Sequence, residues 1–233
     1  MMAEYTYSVE KPCPVCGQKT HATKLKARLI TLGTDEDFCV HYEGVNPYRY
    51  RIWICEHCGF AADEKQFTEE PLSPRDKAKI QELLEGRTIN LPYHEERTVE
   101  EAIRAYKLGI YFVERLGWTL QKKAGYCMGM AWVYRDAGEH EKEAEVLRLA
   151  AEFYEKSVMT EKYPIHGMSD SMALYIAGAA YYRLEDYEKA TQMLSQIMSD
   201  QEVRKNDVKL FERAQNLWQE LREKKTEVEK ADK

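Results

Sequence analysis

The chain has 233 residues, 44% of them hydrophobic, which suits one large or two small domains with a real core. Its formal net charge of −6 is opposite to the basic footprint of a typical nucleic-acid binder. The longest uncharged stretch, Ser171 to Tyr182, falls short of the roughly 20 residues a membrane-crossing helix needs, and Met1 to Lys11 holds no apolar run suited to a signal peptide. The expectation is a cytoplasmic chain whose six cysteines stay reduced.

The first 70 residues read as β-rich. Cys13-Pro14-Val15-Cys16-Gly17 and Cys55-Glu56-His57-Cys58-Gly59 are two matched turns, each presenting two sulfurs on a tight loop. The Gly after each second Cys allows the backbone to turn back at positive φ. Lys24-Leu25-Lys26-Ala27-Arg28-Leu29 alternates charged and apolar residues and predicts a strand, as does Tyr48 to Ile54, which runs straight into Cys55. Gly33, Asp35 to Asp37, Gly44 and Asn46-Pro47 mark the turns and a polar loop between them.

Helical spacing takes over after residue 70. Ser73-Pro74 sets an N-cap and a first-turn proline, and Gly86 is the stop. Thr98 and Glu101 form a capping box ahead of an apolar stripe running from Val99 through Tyr106 to Val113. Further helices are predicted over Trp118 to Asp136, Glu139 to Lys156, Asp170 to Leu184, Tyr187 to Met198 and Lys205 to Arg222, with a frayed end from Arg222 to Lys233. Short connections, two of them at Gly117 and Gly138, predict antiparallel hairpins. The expected division is 1–70 for the cysteine module, 71–97 for a connecting helix and linker, and 98–233 for the helical array.

One hairpin carries a recognisable pattern: Leu174, Ala177, Gly178 and Tyr181, then Ala190, Leu194 and Ile197, with the turn Glu185-Asp186-Tyr187 between. It resembles the tetratricopeptide repeat, although Glu202 stands where the terminal proline would fall and no strict 34-residue period is present. A short, divergent array of about three hairpins is expected. The resemblance places the concave-face positions on Met172, Tyr175, Ala179, Tyr182 and Arg183, an aromatic groove with one guanidinium for a peptide carboxylate or acidic side chain. The competing reading packs Tyr175 and Tyr182 against a neighbouring hairpin.

A second resemblance spans most of the chain. Its carrying residues are Lys11-x-Cys13-Pro14-x-Cys16-Gly17, Asp37-Phe38, Tyr42-x-Gly44-x-Asn46-Pro47-x-x-Tyr50, Cys55-x-x-Cys58-Gly59-Phe60-Ala61, Tyr163-Pro164-Ile165 and Ala214-x-x-Leu217-Trp218. Together they resemble a bacterial family labelled domain of unknown function 2225. That likeness implies a cytoplasmic bacterial protein with a zinc-ribbon-like part and a tetratricopeptide-like part, and it brings no established activity. The fold expected is therefore α+β, mainly α: a small β-rich Cys₄ module followed by antiparallel helical hairpins.

Cys13, Cys16, Cys55 and Cys58 supply four thiolates for one tetrahedral ion, read as structural zinc because no open position remains for water or substrate. The 38 residues between Cys16 and Cys55 make a long loop. Each doubling of length adds only about 0.6 kcal/mol of closure entropy, against an apparent ~10–16 kcal/mol from zinc binding. Iron in a rubredoxin-like Fe(Cys)₄ carrier is the alternative, since sulfur geometry alone does not separate the two metals. Cys39 and His41 form a weaker candidate, read more simply as a partly buried Cys and a surface His, and Cys127 among Tyr126, Met128 and Met130 reads as core. No nucleophile motif, phosphate-binding glycine loop or zinc-protease signature occurs.

Two binding readings follow. In the first, the helical array binds another protein, making the chain a non-enzymatic adaptor. In the second, the cysteine module binds nucleic acid through Lys11, Lys19, Lys24, Lys26 and Arg28, with stacking from Tyr48, Tyr50 and Trp53 beside Arg49 and Arg51. Asp35, Glu36, Asp37 and Glu43 cancel most of that charge, so the protein-binding reading is preferred.

Overall fold

The computed structural model describes residues 5–26, 28–86 and 92–231, with side chains as far as Glu227. Expectations resting on residues 1–4, Ala27, 87–91 and 232–233 lie outside the described residues; they touch the N-terminal stretch, one strand position, the linker and the extreme C-terminus. The chain separates into two compact units, one of Met1–Gly33, Val40–Trp118 and Tyr126–Glu143, the other of Thr34–Cys39, Thr119–Gly125 and Ala144–Lys233.

In the first unit, β1 (Thr6–Pro12) and β2 (Lys19–Leu25) pair antiparallel from Thr6 opposite Leu25 to Pro12 opposite Lys19. Thr20 and Ala22 are buried on one face and Thr6 and Thr23 on the other, where the exposed Lys19–Glu10 ion pair at 2.8 Å also lies. The predicted strand beginning at Lys24 is displaced: β2 ends at Leu25, and Lys26 and residues 28–30 are not strand. The strand expected from Tyr48 is also shorter than predicted. Asn46 captures the Tyr48 N–H at 2.8 Å, Pro47 fixes the next backbone angle, and Pro47–Tyr50 winds into a 3₁₀ turn before the chain extends.

Two further ladders are short. One pairs β3 (Thr31–Thr34) with β4 (Val40–Tyr42), and the other pairs β5 (Ile52–Ile54) antiparallel with β6 (Ala61–Asp63). Asp63 then caps α1 (Glu64–Thr68), and Ser73 caps α2 (Pro74–Leu84) as its sequence predicts. In α3 (Val99–Leu116) the Thr98–Glu101 capping box is closed in both directions, and Gly117 ends the helix at φ 69°.

The β5–β6 ladder lies on α3, and between them sits the core of this unit: Ile52, Trp53, Phe60, Tyr106 and Phe112, all at most 2% exposed. Phe60 meets Phe67 and Phe112 with ring centroids 5.3 Å from each. Residues 126–143 join this unit from α4 (Leu120–Asp136) and the start of α5 (His140–Thr160). They approach α3 closely because glycine clears the way: a Cβ on Gly129 would stand 2.5 Å from the Tyr106 hydroxyl. Tyr126 reaches from α4 to Asp63, donating to Oδ2 at 2.6 Å and accepting from the Asp63 N–H at 3.0 Å.

The second unit is helical. Its centre is the hairpin of α6 (Asp170–Arg183) and α7 (Tyr187–Ser199), with Glu185 at φ 59° in the turn. Ala177 and Ala190 are fully buried, and a Cβ on Gly178 would come within 3.1 Å of Leu194, so small residues set the approach of the two helices. The last predicted helix is two helices, α8 (Gln201–Asn206) and α9 (Val208–Ala231), because Asp207 turns from the end of one to cap the other through Leu210 N–H. In α9, Leu210, Ala214, Leu217 and Leu221 are buried at helical spacing, and the helix packs on α6 and α7. Among the described residues no helix is long and apolar enough to cross a membrane.

Candidate metal centre

The two cysteine turns have the same backbone plan. Cys13 N–H donates to the Gln18 carbonyl at 2.9 Å and Gly17 N–H to the Cys13 carbonyl at 2.9 Å; Cys55 and Gly59 repeat these bonds, to Phe60 and Cys55, at 2.8 Å each. Gly17 and Gly59 stand at φ 75° and 79°, so the positive φ expected from sequence is present in both. One turn is held at the β1–β2 end and the other at the β5–β6 end. The second is tied to β2 as well: Glu56 accepts from His21, His57 Nε2 contacts the Lys19 carbonyl at 2.8 Å, and Thr20 Oγ1 accepts from Glu56 N–H.

All four sulfurs lie within 4.8 Å of one another. Cys13–Cys58 and Cys16–Cys55 are each separated by 3.7 Å. A tetrahedral ion with bonds of about 2.3 Å needs sulfur–sulfur edges of about 3.8 Å, so the cluster already has the right size for a metal. Cys13 and Cys55 are buried whereas Cys16 is exposed, giving a site with one dry side and one wet side.

Electrostatics argue in the same direction. Hydrogen bonds from Cys13 and Cys58 pull the Cys55 thiol far down. Its bond with Cys55, and then burial, push Cys13 up to about 12. Cys58 is pushed up through Cys13 and Cys55 and by its burial. Thiolates this close repel, so the cluster ionises fully only around a cation, and binding a divalent metal releases protons. Cys39 and His41 are not members of this group of four; Cys39 is buried, and so is Cys127.

The residues offered for stacking on nucleic acid are turned inward. Trp53 packs on Phe67, Tyr50 is buried, and the Tyr48 ring lies 4.6 Å from Trp132. Lys19 and Lys24 are engaged by Glu10 and Glu64, and Arg49 by Asp136. A cleft of about 620 Å³ also opens beside α3, lined by Ile103, Leu108, Tyr111, Phe112 and Tyr134. Arg104 and Lys107 share its mouth with Glu100 and Glu139, so its charge favours no single ligand class.

In the helical unit, the five groove positions divide. Ala179 is buried, and Tyr175 is buried beneath Phe38, whose ring centroid is 5.3 Å away. Met172 and Tyr182 are half-buried, and Tyr182 faces Tyr187 at 6.1 Å. Arg183 stays exposed and faces Asp35 at 4.0 Å. Two residues that sequence reasoning did not place at these positions, Phe38 and Arg213, lie with Tyr175 there. Asp35 to Asp37 reads as part of a polar loop and Phe38 enters only through the family resemblance, so the placement of this segment in the helical unit is visible in the structure alone.

These features define a four-cysteine module carried in one chain with helical hairpins. The chain belongs to the bacterial family described as "Uncharacterized protein conserved in bacteria (DUF2225)", whose model matches residues 6–221. Comparison with curated proteins gives no match, and comparison with solved structures gives none.

Proposed function

We propose that the protein is a non-enzymatic adaptor of the bacterial cytoplasm, in which one zinc ion staples the cysteine module and tetratricopeptide-like helices bind another protein. The zinc assignment is supported by a complete set of four thiolates at tetrahedral spacing, which leaves no open position for Lewis-acid chemistry. Free cysteines serving as ligands fit a reducing compartment. The adaptor reading is supported by one observation above the rest: the helical unit already holds a stretch of polypeptide, Thr34–Cys39, against α6 and α9. A face that seats one such stretch has the shape and chemistry for another.

Elemental analysis with a visible spectrum on freshly purified protein tests the metal. One zinc per chain and no colour is expected; one iron and a red protein would replace the staple with a rubredoxin-like electron carrier. Partner capture comparing the wild type with Tyr182→Ala plus Arg183→Ala tests the adaptor, and identical partner lists would sink it.

A further inference from the structure

Segment Thr34–Cys39 is held in the helical unit by specific chemistry. The Phe38 ring lies on Tyr175 of α6, and the Arg213 guanidinium of α9 stands 4.7 Å over the same ring. The Arg213 side chain also reaches the Tyr175 hydroxyl. Three acids precede the aromatic residue: Asp35 faces Arg183, Glu36 is exposed, and Asp37 is buried with its carboxylate accepting from Cys39 N–H at 3.2 Å. One cation of the helices, Arg183, thus faces the start of a short acidic run, and an aromatic floor beneath the Arg213 guanidinium addresses one ring.

The seating has a cost. Phe38 holds φ at 66°, in the left-handed region that a bulky residue rarely occupies. A flexible partner peptide can present a ring without that constraint. The Arg183–Asp35 pair is partly exposed and long at 4.0 Å, so it orients the segment more than it anchors it. Phe38 itself is only half-buried, leaving the ring reachable from solvent.

We infer that this face of the helical unit is a recognition site for a peptide in which an acidic run is followed by an aromatic residue, and that Asp35 to Phe38 is its resident occupant, exchanged for a partner segment of the same chemistry. The inference rests on the adaptor reading and names its ligand class. Because the resident segment is tethered, its local concentration is high, and a free peptide sees the site only in the fraction of molecules where it is vacant.

The test uses the full chain and a fluorescein-labelled peptide of residues 33–40 carrying Cys39→Ser. Phe38→Gly removes the ring and relieves the left-handed backbone, so it vacates the site without disturbing the turn. It is expected to bind the peptide about tenfold or more tighter than the wild type does. Adding Arg213→Ala should cancel that gain, and a peptide with Phe38→Ala should not bind. Equal affinity of wild type and Phe38→Gly, or equal binding of peptides with and without the ring, overturns the inference. Where Phe38→Gly does not fold, hydrogen exchange on the wild type serves: saturating peptide must raise exchange over residues 34–39 while α6 and α9 stay protected, and no change overturns it. A wild type that elutes as a dimer and becomes monomeric in Phe38→Gly assigns the occupant to a second copy and also overturns it. Loss of peptide binding, with partner capture still sensitive to Tyr182→Ala plus Arg183→Ala, sinks this ligand class and leaves the adaptor reading standing; intact peptide binding with identical partner lists does the reverse.

Discussion

Gly129→Ala should destabilise the protein although alanine is the better helix former. In an exposed helix interior the exchange stabilises by about 1 kcal/mol. Here the added Cβ would lie 2.5 Å from the Tyr106 hydroxyl and 2.9 Å from two of its ring carbons. Restoring ordinary contact demands a ring shift of about 1 Å, and Tyr106 is 1% exposed, with neighbours on every side. Overpacking of this kind costs about 1–3 kcal/mol. The shift also pulls the hydroxyl from the Tyr48 carbonyl, which it now reaches at 2.9 Å, and an unmade buried hydrogen bond costs about 1–3 kcal/mol more. Set against the propensity gain, the net is roughly 3 kcal/mol of destabilisation. Gly125, one turn earlier on α4, is the internal control: its Cβ would meet only the Tyr154 hydroxyl, at 3.6 Å. Gly125→Ala should therefore raise stability, by up to about 1 kcal/mol. Urea titrations followed by circular dichroism and tryptophan fluorescence would move the two midpoints in opposite directions. If both move up together, propensity dominates and the close approach to Tyr106 is not a constraint. Tyr106→Phe, which removes the nearest atom, should recover part of the Gly129→Ala loss, a coupling that independent sites would not show.

Tyr126→Phe strips two hydrogen bonds from Asp63 and leaves its N–H and one carboxylate oxygen without the phenol. A loss of about 2–3 kcal/mol is expected in the same titration, and a change under 0.5 kcal/mol would refute the role given to that contact. Glu101 is held below 4.5 by the Thr98 N–H and by His94, against burial, which acts to raise it. The carboxyl therefore stays charged to lower pH when folded than when unfolded, so its contribution is complete above pH 4.5 and is lost as the pH falls through the folded value. Glu101→Gln should flatten the acid limb of a stability–pH profile, and an unchanged limb would count against this. Dialysis against a strong chelator should raise hydrogen exchange over Thr6–Leu25, where the strands depend on the cysteine turns, more than over α6 and α7, which carry their own core. Equal exchange before and after would mean that the cysteines do not hold a metal on which these strands rely.

What could be read from the sequence follows the range of the forces involved. Ser73, Thr98 with Glu101, Gly117 and the two Cys-x-x-Cys-Gly turns are local devices, and each sits in the structure as its spacing implies. Tyr48 to Ile54 looked like one strand because aromatic and charged residues alternate there. The side chain of Asn46, outside that window, offers the backbone a competing hydrogen bond and wins the first four residues. β1 leaves little trace because its apolar residues, Tyr7 and Val9, are set among Thr, Ser, Glu and Lys and only Thr6 is buried, so its pairing with β2 defines it. Contacts of long sequence separation, such as Phe38 with Tyr175 and Arg213 or Tyr126 with Asp63, leave no periodic trace at all.

The way the chain is shared between its compact units has a consequence for its synthesis. Residues 34–39 and 119–125 belong to the later-completed unit, while Tyr126–Glu143 belongs to the earlier one. No single peptide bond divides them, so a truncation at any one point removes part of at least one unit. A nascent chain emerging from the ribosome cannot finish its first unit until Glu143 is exposed, and until then the apolar faces of Ile52, Phe60, Tyr106 and Phe112 wait without the α4 residues that complete their cover. Early capture of a metal by the four cysteines, all synthesised by residue 58, would hold the strands in register through that interval.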